Sequence, residues 1–309
     1  MDHPCQINDG LSGCICINEV FTQLQGCLRN INLVALNSVE IVGSVLHIKK
    51  HQLTSATVPL AINLNGVGIN APITVSEGAV AYTSLADCYL HLFYRLGLWE
   101  VTHILGFRQG WGNDEIAFHV PGVEIPCSSI YRAPFPQYHS SADNLKNFSF
   151  QKLQDTIELL IALIYVIDNN YMIDSIHIDS LPCMASPELS LYLEPGDISG
   201  IGQATTNASL GQIYDSIPEK DLHTLGCIID RETLYIGSNA EFMGTFMNRL
   251  MSVLTIAKGR SIFWICEQLS SPPLFTLSYL MKMQAKGLLK LSDSINFDTG
   301  VTRAGFDKL

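Results

Sequence analysis

The sequence predicts an α/β fold with a mixed, mostly parallel sheet flanked by helices. Three observations lead there. Short apolar runs of strand length, such as Val58–Leu64, alternate with longer segments of helical periodicity, such as Leu85–Leu98 and Phe148–Asp168. Glycine turns, the Gly66/Gly68 pair among them, separate the two kinds. The chain has 309 residues, 47% of them hydrophobic, enough to bury one large domain or a large domain with a small one.

In order along the chain, Gly13–Leu28 reads as the first helix, because Ile15, Val20, Phe21, Leu24 and Leu28 fall mostly at helical spacing. Ile31–Ala35 is a short strand candidate, and Val39–His47 runs from strand into helix around Gly43-Ser44. Val58–Leu64 is a buried strand that Gly66 and Gly68 end. Leu85–Leu98 is a helix, residues 107–144 are loop-rich with Gly, Pro and Asn clusters, and Phe148–Asp168 has the strongest helical pattern. Residues 180–225 are irregular, and no internal repeat is visible. From residue 240 the pattern is helical: Phe242–Ala257, then Ser261–Leu269, a turn at Ser270-Ser271-Pro272-Pro273, and Phe275–Ala285 closed by Gly287. Leu288–Leu291 follows as a strand, which completes the outline of a small winged-helix module.

Charge divides the chain at the same place. Residues 1–239 hold 10 Lys and Arg against 24 Asp and Glu, a net of −14, whereas residues 240–309 hold 8 against 5, a net of +3. The expected domains are therefore 1–225 and 240–309. A total of −11 disfavours nucleic acid as a partner. Lys282, Lys286 and Lys290 make the last helix only modestly basic, while Leu277, Leu280, Met281 and Met283 look like core, so this module is expected to pack or contact protein rather than read DNA. Nine cysteines without a CxxC pair point to a reducing, cytoplasmic setting. No signal peptide precedes the polar start, and the apolar run Ile157–Ile167 is too short to span a bilayer.

The residues that carry chemistry lie in two polar loops. His3 and Asp9 stand six positions apart in a glycine-bounded loop, and His139 lies in Tyr138-His139-Ser140-Ser141-Ala142-Asp143-Asn144. Imidazole and carboxylate are ordinary zinc ligands. Each residue also has a plainer role open to it: His3 as part of a frayed terminus, Asp9 as a turn or cap residue, Glu40 as a solvated strand-end charge, His139 as a locally bonded loop residue, Asp143 as a residue that orients its loop.

Four motifs occur in an order that resembles the bacterial aminopeptidase-like proteins of the DUF4910 type, relatives of the M28 zinc peptidases with a C-terminal winged helix. His3-Pro4 with Asn8-Asp9-Gly10-Leu11-Ser12-Gly13 resembles that family's HP…NDNLSG, and Glu40-Ile41-Val42-Gly43-Ser44 its PETIGS. Gly112-Asn113-Asp114-Glu115 with Pro121-Gly122 resembles GSDE…PG, and Arg132 with Tyr138–Asn144 resembles R…YHTSxDN. The resemblance implies an M28-like fold lacking the family's amino-terminal part. It further implies metal ligation by His3, Asp9, Glu40 and His139, with Asp9 as the bridging carboxylate and Glu40 as ligand or general base. Asp114, Glu115, Arg132 and Tyr138 are the implied substrate-binding residues. Where the family has a further Asp after a VG pair, this chain has Ile69 after Val67-Gly68, and isoleucine cannot ligate. The expectation is a zinc-dependent aminopeptidase-like hydrolase of a peptide or amide bond, mononuclear or impaired, holding one zinc, two or none. The alternative is a catalytically degenerate peptidase fold that serves as a binding or scaffold subunit. A small peptide or amide substrate, and a homo-oligomer or partner chain to cover the surface of the shortened fold, complete the expectation.

Overall fold

A computed structural model describes residues 6–25, 32, 34–36, 38–79, 84–110, 112–177, 191 and 213–297. The chain divides into two compact units, Met1–Leu163 and Ile164–Gly305.

The first unit contains α1 (Ser12–Leu24), α2 (Val42–His51), β1 (Ala61–Leu64), β2 (Ile73–Ser76), α3 (Leu85–Leu96), β3 (Val101–Leu105), α4 (Glu115–Phe118) and β4 (Cys127–Arg132). Its four-stranded sheet has the order β1-β4-β2-β3. β1 pairs parallel with β4 and β2 parallel with β3, while β2 and β4 run antiparallel, so the sheet is mixed and mostly parallel, as expected. α3 begins on the Ser84 cap, whose Oγ accepts the Ala86 N–H at 3.2 Å, and ends at Gly97, φ +63°. Its buried face carries Tyr89, Leu92 and Phe93. α5 (Phe150–Asp168) begins in this unit and ends in the second, with no charged residue from Leu159 to Ile167.

The sequence reading singled out none of the strands Ile73–Ser76, Val101–Leu105 and Tyr171–Ile176, and it departs from the structure at two further places. The described residues of the Ile31–Ala35 candidate, 32, 34 and 35, form no strand, and Val34 is exposed. A short apolar run becomes a strand only when a neighbour completes its ladder. Conversely, the supposed loop 107–144 contains β4, a central strand. Its sequence, Cys-Ser-Ser-Ile-Tyr-Arg, looks too polar for a buried strand, but its serines and its arginine each find a partner inside the protein. Ser128 donates to Asp87 Oδ1 at 2.6 Å, Ser129 to Glu115 Oε2 at 3.0 Å and Arg132 Nη1 to the Ala71 carbonyl at 2.6 Å.

The second unit contains β5 (Tyr171–Ile176), α6 (Glu219–Ser238), α7 (Ala240–Leu254), α8 (Ile262–Leu269), α9 (Pro273–Ala285) and β6 (Leu289–Ile295). The three helices expected after residue 240 are present within a few residues of their expected ends. α6 lies ahead of them, and most of the irregular stretch 180–225 falls outside the described residues. β6 pairs antiparallel with β5. Asn170 ties this unit together: its Oδ1 accepts the Phe263 N–H at 2.8 Å at the start of α8, and its Nδ2 donates to the Asn296 carbonyl at 2.6 Å beyond β6. Phe246 packs edge-on against Phe275 and Tyr279, with ring centroids 5.0 and 5.5 Å away. Among the described residues no helix is long and apolar enough to cross a membrane.

Candidate functional site

Asp9 sits in an irregular turn ahead of α1, with Gln6 at φ +45° and Gly10 at φ +97°, a conformation that favours glycine. Three anchors fix this turn. The buried Asp143 carboxylate accepts the Asn8 N–H at 2.9 Å, the Asn8 side-chain amide at 3.1 Å and the Asp9 N–H at 3.0 Å. Asn65, just beyond β1, donates from Nδ2 to Asp9 Oδ1 at 3.2 Å and accepts the Gly10 N–H on Oδ1 at 3.2 Å. Ser12 Oγ donates to the Asn8 carbonyl at 2.7 Å and accepts the Val67 N–H at 3.1 Å. Gly13 permits this close approach, since a Cβ there would lie 2.7 Å from the Leu64 carbonyl oxygen.

Asp143 also carries the second loop, which places His139 opposite Asp9. His139 Nε2 is 3.4 Å from Asp9 Oδ2. Its backbone is left-handed, φ +53°, and its ring stacks on Tyr138, with centroids 3.8 Å apart and planes at 19°. Tyr138 in turn packs against the apolar cluster of Ile69, Ala71 and Phe135. Ile69 thus belongs to the hydrophobic support under the histidine loop, where a carboxylate would be costly.

Glu40 stands on a turn at the start of α2. Although its side chain is exposed, the atoms around the carboxylate remove part of its hydration. That loss and the charges of Asp9 and Asp114 push its carboxyl above the usual range, while His139 pulls it back. The next residue, Ile41, has φ +64°, a strained conformation for a β-branched side chain. Asp114 Oδ1 accepts the Ile41 N–H at 2.8 Å and the Ser44 hydroxyl at 2.7 Å. Glu115 is fully buried. Its carboxylate accepts the Asn113 N–H on both oxygens, at 3.0 and 3.1 Å, and the Ser129 hydroxyl at 3.0 Å.

Of the residues singled out from the sequence, Asp9, Glu40, His139, Asp114 and Glu115 thus fall in one neighbourhood, and Tyr138 borders it. His3 lies outside the described residues. Arg132 is fully buried, its Nε donating to Thr156 Oγ1 at 3.1 Å and its Nη1 to the Ala71 carbonyl, and burial lowers its pKa. Asn8 and Ser44 stood in the motifs without a role assigned to them, while Asn65 and Ser129 escaped the sequence reading, and the adjacency of Asn65 to a turn glycine was its only signal.

Two ligands of a tetrahedral zinc ion, each at about 2.0–2.1 Å, lie about 3.4 Å apart. The separation of Asp9 Oδ2 from His139 Nε2 fits such a pair, and exceeds the usual length of a charged hydrogen bond. Among the described residues, however, no three His, Cys, Asp or Glu side chains form a group able to hold a metal.

The comparisons agree with this architecture. A Clostridium acetobutylicum protein named for polysaccharide biosynthesis and an aminopeptidase-like domain is 26% identical over 175 residues, covering 54% of this chain and 38% of that protein. The crystal structure of a Clostridium acetobutylicum protein described as a peptidase has 17% sequence identity and a TM-score of 0.59 over 92% of this chain. The chain spans 54% of that solved structure. BSAP, a zinc aminopeptidase from Bacillus subtilis, matches over 52% of this chain and 41% of its own with 18% identity and a TM-score of 0.43. The likeness to the Clostridium acetobutylicum structure makes the fold peptidase-like. Residues 1–170, more than half of the chain, match the family described as a domain of unknown function, DUF4910, and the chain belongs to that family.

Proposed function

We propose that the first unit is an aminopeptidase-like hydrolase of peptide or amide bonds that takes at most one zinc ion. The carrying observation is the convergence of Asp9 and His139, 130 positions apart in sequence, at the spacing of two metal ligands. The relative named for an aminopeptidase-like domain supports the same reading. Asp9 and His139 would hold the ion, with His3 and Glu40 as the remaining donors of the set. A zinc ion in such a place polarises a carbonyl and makes its bound water acidic. Within this reading Glu40 serves either as a donor of that set or as the general base that takes up and returns a proton. The acidic surroundings of Asp9, Glu40 and Asp114 favour a small peptide or amide that carries a positive amino group.

Ile69 favours a second reading, in which the fold is retained as a binding or scaffold subunit. It occupies apolar packing where the resemblance implies a ligand. In both readings residues 240–309 form a winged-helix module that contacts protein, a homo-oligomer or partner chain completes the assembly, and the protein works in the cytoplasm. α8, α9 and β6 support the module reading.

Elemental analysis of the purified protein is expected to give no more than one zinc per chain, and His139→Ala is expected to lose both the metal and hydrolysis of aminoacyl 4-nitroanilides. A metal-free wild-type protein without hydrolytic activity leaves only the binding reading, and a His139→Ala variant of full activity takes hydrolysis away from the Asp9–His139 site.

A further inference from the structure

We propose that Asp114 is a positioning residue: it fixes the backbone on which Glu40 stands by holding the strained peptide that follows Glu40. This rests on the hydrolase reading for its kinetic consequence, but not for its geometry.

The argument begins at the sheet. Ser129, buried on the central strand β4, donates to Glu115 Oε2 at 3.0 Å. Glu115 is itself fully buried and locks the loop before it, accepting the Asn113 N–H on both oxygens. Asn113 Oδ1 accepts the Asp114 N–H at 2.7 Å. Asp114 then spends a single oxygen, Oδ1, on two donors of the α2 turn, the Ile41 N–H at 2.8 Å and the Ser44 hydroxyl at 2.7 Å. A rigid strand is thus connected to the residue beside Glu40 by consecutive short hydrogen bonds.

The far end of this relay needs such a hold. Ile41 has φ +64° and ψ −49°, which a β-branched residue adopts only when its surroundings impose it. Relaxing that peptide would rotate the backbone on which Glu40 stands. The Glu40 side chain is exposed, so no packing of its own fixes its direction. Strain beside a proton-transferring group, held by a buried-end relay, is the pattern of a preorganised site. An oxygen already bound to a backbone N–H and a hydroxyl is also a poor candidate for gripping substrate, the role that the family resemblance implies for Asp114.

The experiment compares Asp114→Ala, Asp114→Asn and Ser44→Ala in the full chain, with folding checked by circular dichroism. Amide exchange at Ile41 and Ser44 is followed by NMR, and hydrolysis of aminoacyl 4-nitroanilides in parallel. Misplacement of a reacting group by about 1 Å costs on the order of 100-fold, so Asp114→Ala is expected to lower kcat by about that factor with KM within about twofold. Asp114→Asn keeps the accepting oxygen and is expected to retain kcat within about fivefold, with Ser44→Ala between the two. Ile41 exchange is expected to rise at least about tenfold in Asp114→Ala and little in Asp114→Asn. A raised KM with unchanged kcat makes Asp114 a substrate ligand and overturns the proposal. So does an Asp114→Asn variant as poor as Asp114→Ala, since charge and not acceptance would then matter. If Asp114→Ala does not fold, Ser44→Ala and Asp114→Asn decide by the same readouts. A wild-type chain that hydrolyses nothing removes the hydrolase reading alone. Ile41 exchange still tests the hold on the turn, and unchanged exchange in the variants defeats it.

Discussion

Asp143 in the first unit and Glu232 in the second are buried carboxylates with matching partners. Asp143 accepts two backbone N–H groups, from Asn8 and Asp9, and the Asn8 side-chain amide. Glu232 accepts two backbone N–H groups, from Leu274 at 3.1 Å and Phe275 at 2.7 Å, and the Tyr214 hydroxyl at 3.3 Å. They differ in what they join. Asp143 links two irregular loops whose neighbours Asp9 and His139 carry the candidate chemistry. Glu232 binds the start of α9, among Tyr214, Phe242, Phe246 and Phe275, and burial pushes its carboxyl up to about 8. One acceptor pattern therefore builds a site where its surroundings are polar loops, and secures packing where they are aromatic.

Asp143→Ala breaks the comparison most severely. It leaves the Asn8 and Asp9 N–H groups without their acceptor, while the Asn8 side-chain amide keeps the Asn147 carbonyl, and is expected to cost about 2–4 kcal/mol, read by urea denaturation of the full chain. It is also expected to release the Asp9 turn, so that any zinc bound to the wild-type protein is lost with the clamp. A cost below about 1 kcal/mol would mean that the loops hold themselves.

Glu232→Gln sharpens the comparison through pH. The folded carboxyl is raised from 4.5 to about 8, so the unfolded chain binds fewer protons in that window and stability falls as pH rises through it. One such group contributes at most about 1.4 kcal/mol per pH unit. Asp87, buried behind Ser128 and Gly78 and raised from 3.8 to about 7, contributes with the same sign below pH 7. The Glu232 contribution is therefore best isolated between pH 7 and 8. There Glu232→Gln is expected to flatten thermal stability against pH, and an unchanged slope would mean that Glu232 is ionised in the fold.

The smallest effect is expected from His139→Ala. The side chain is 41% exposed and its main contact is the stacked Tyr138 ring, so the loss of stability should stay below about 1 kcal/mol while metal binding and hydrolysis disappear. A large destabilisation would place His139 with Asp143 among the residues that hold the loops.

Part of this was legible in the sequence. Leu85–Leu98 and Phe148–Asp168 announced their helices because apolar side chains recur at the helical period. Asp9, Glu40 and His139 were selected by the order of their motifs, and Asp143 was recognisable as a loop-orienting residue. β4 was not legible, because a strand whose serines and arginine find partners inside the protein carries no alternation to read. The link from Asp114 to Ile41 was equally hidden, since it spans 73 residues and joins a side chain to a backbone N–H of no particular residue type.

The sequence by itself determined the α/β class, the principal helices and the residue types able to serve as ligands. These follow from local periodicity and from the chemistry of individual side chains. Tertiary structure alone decided that Asp9 faces His139, that Ile69 packs beneath the histidine loop, and that Asp114 bonds the turn beside Glu40. Those outcomes depend on hydrogen bonds and packing between segments far apart in the chain, and no local pattern encodes the distance between them.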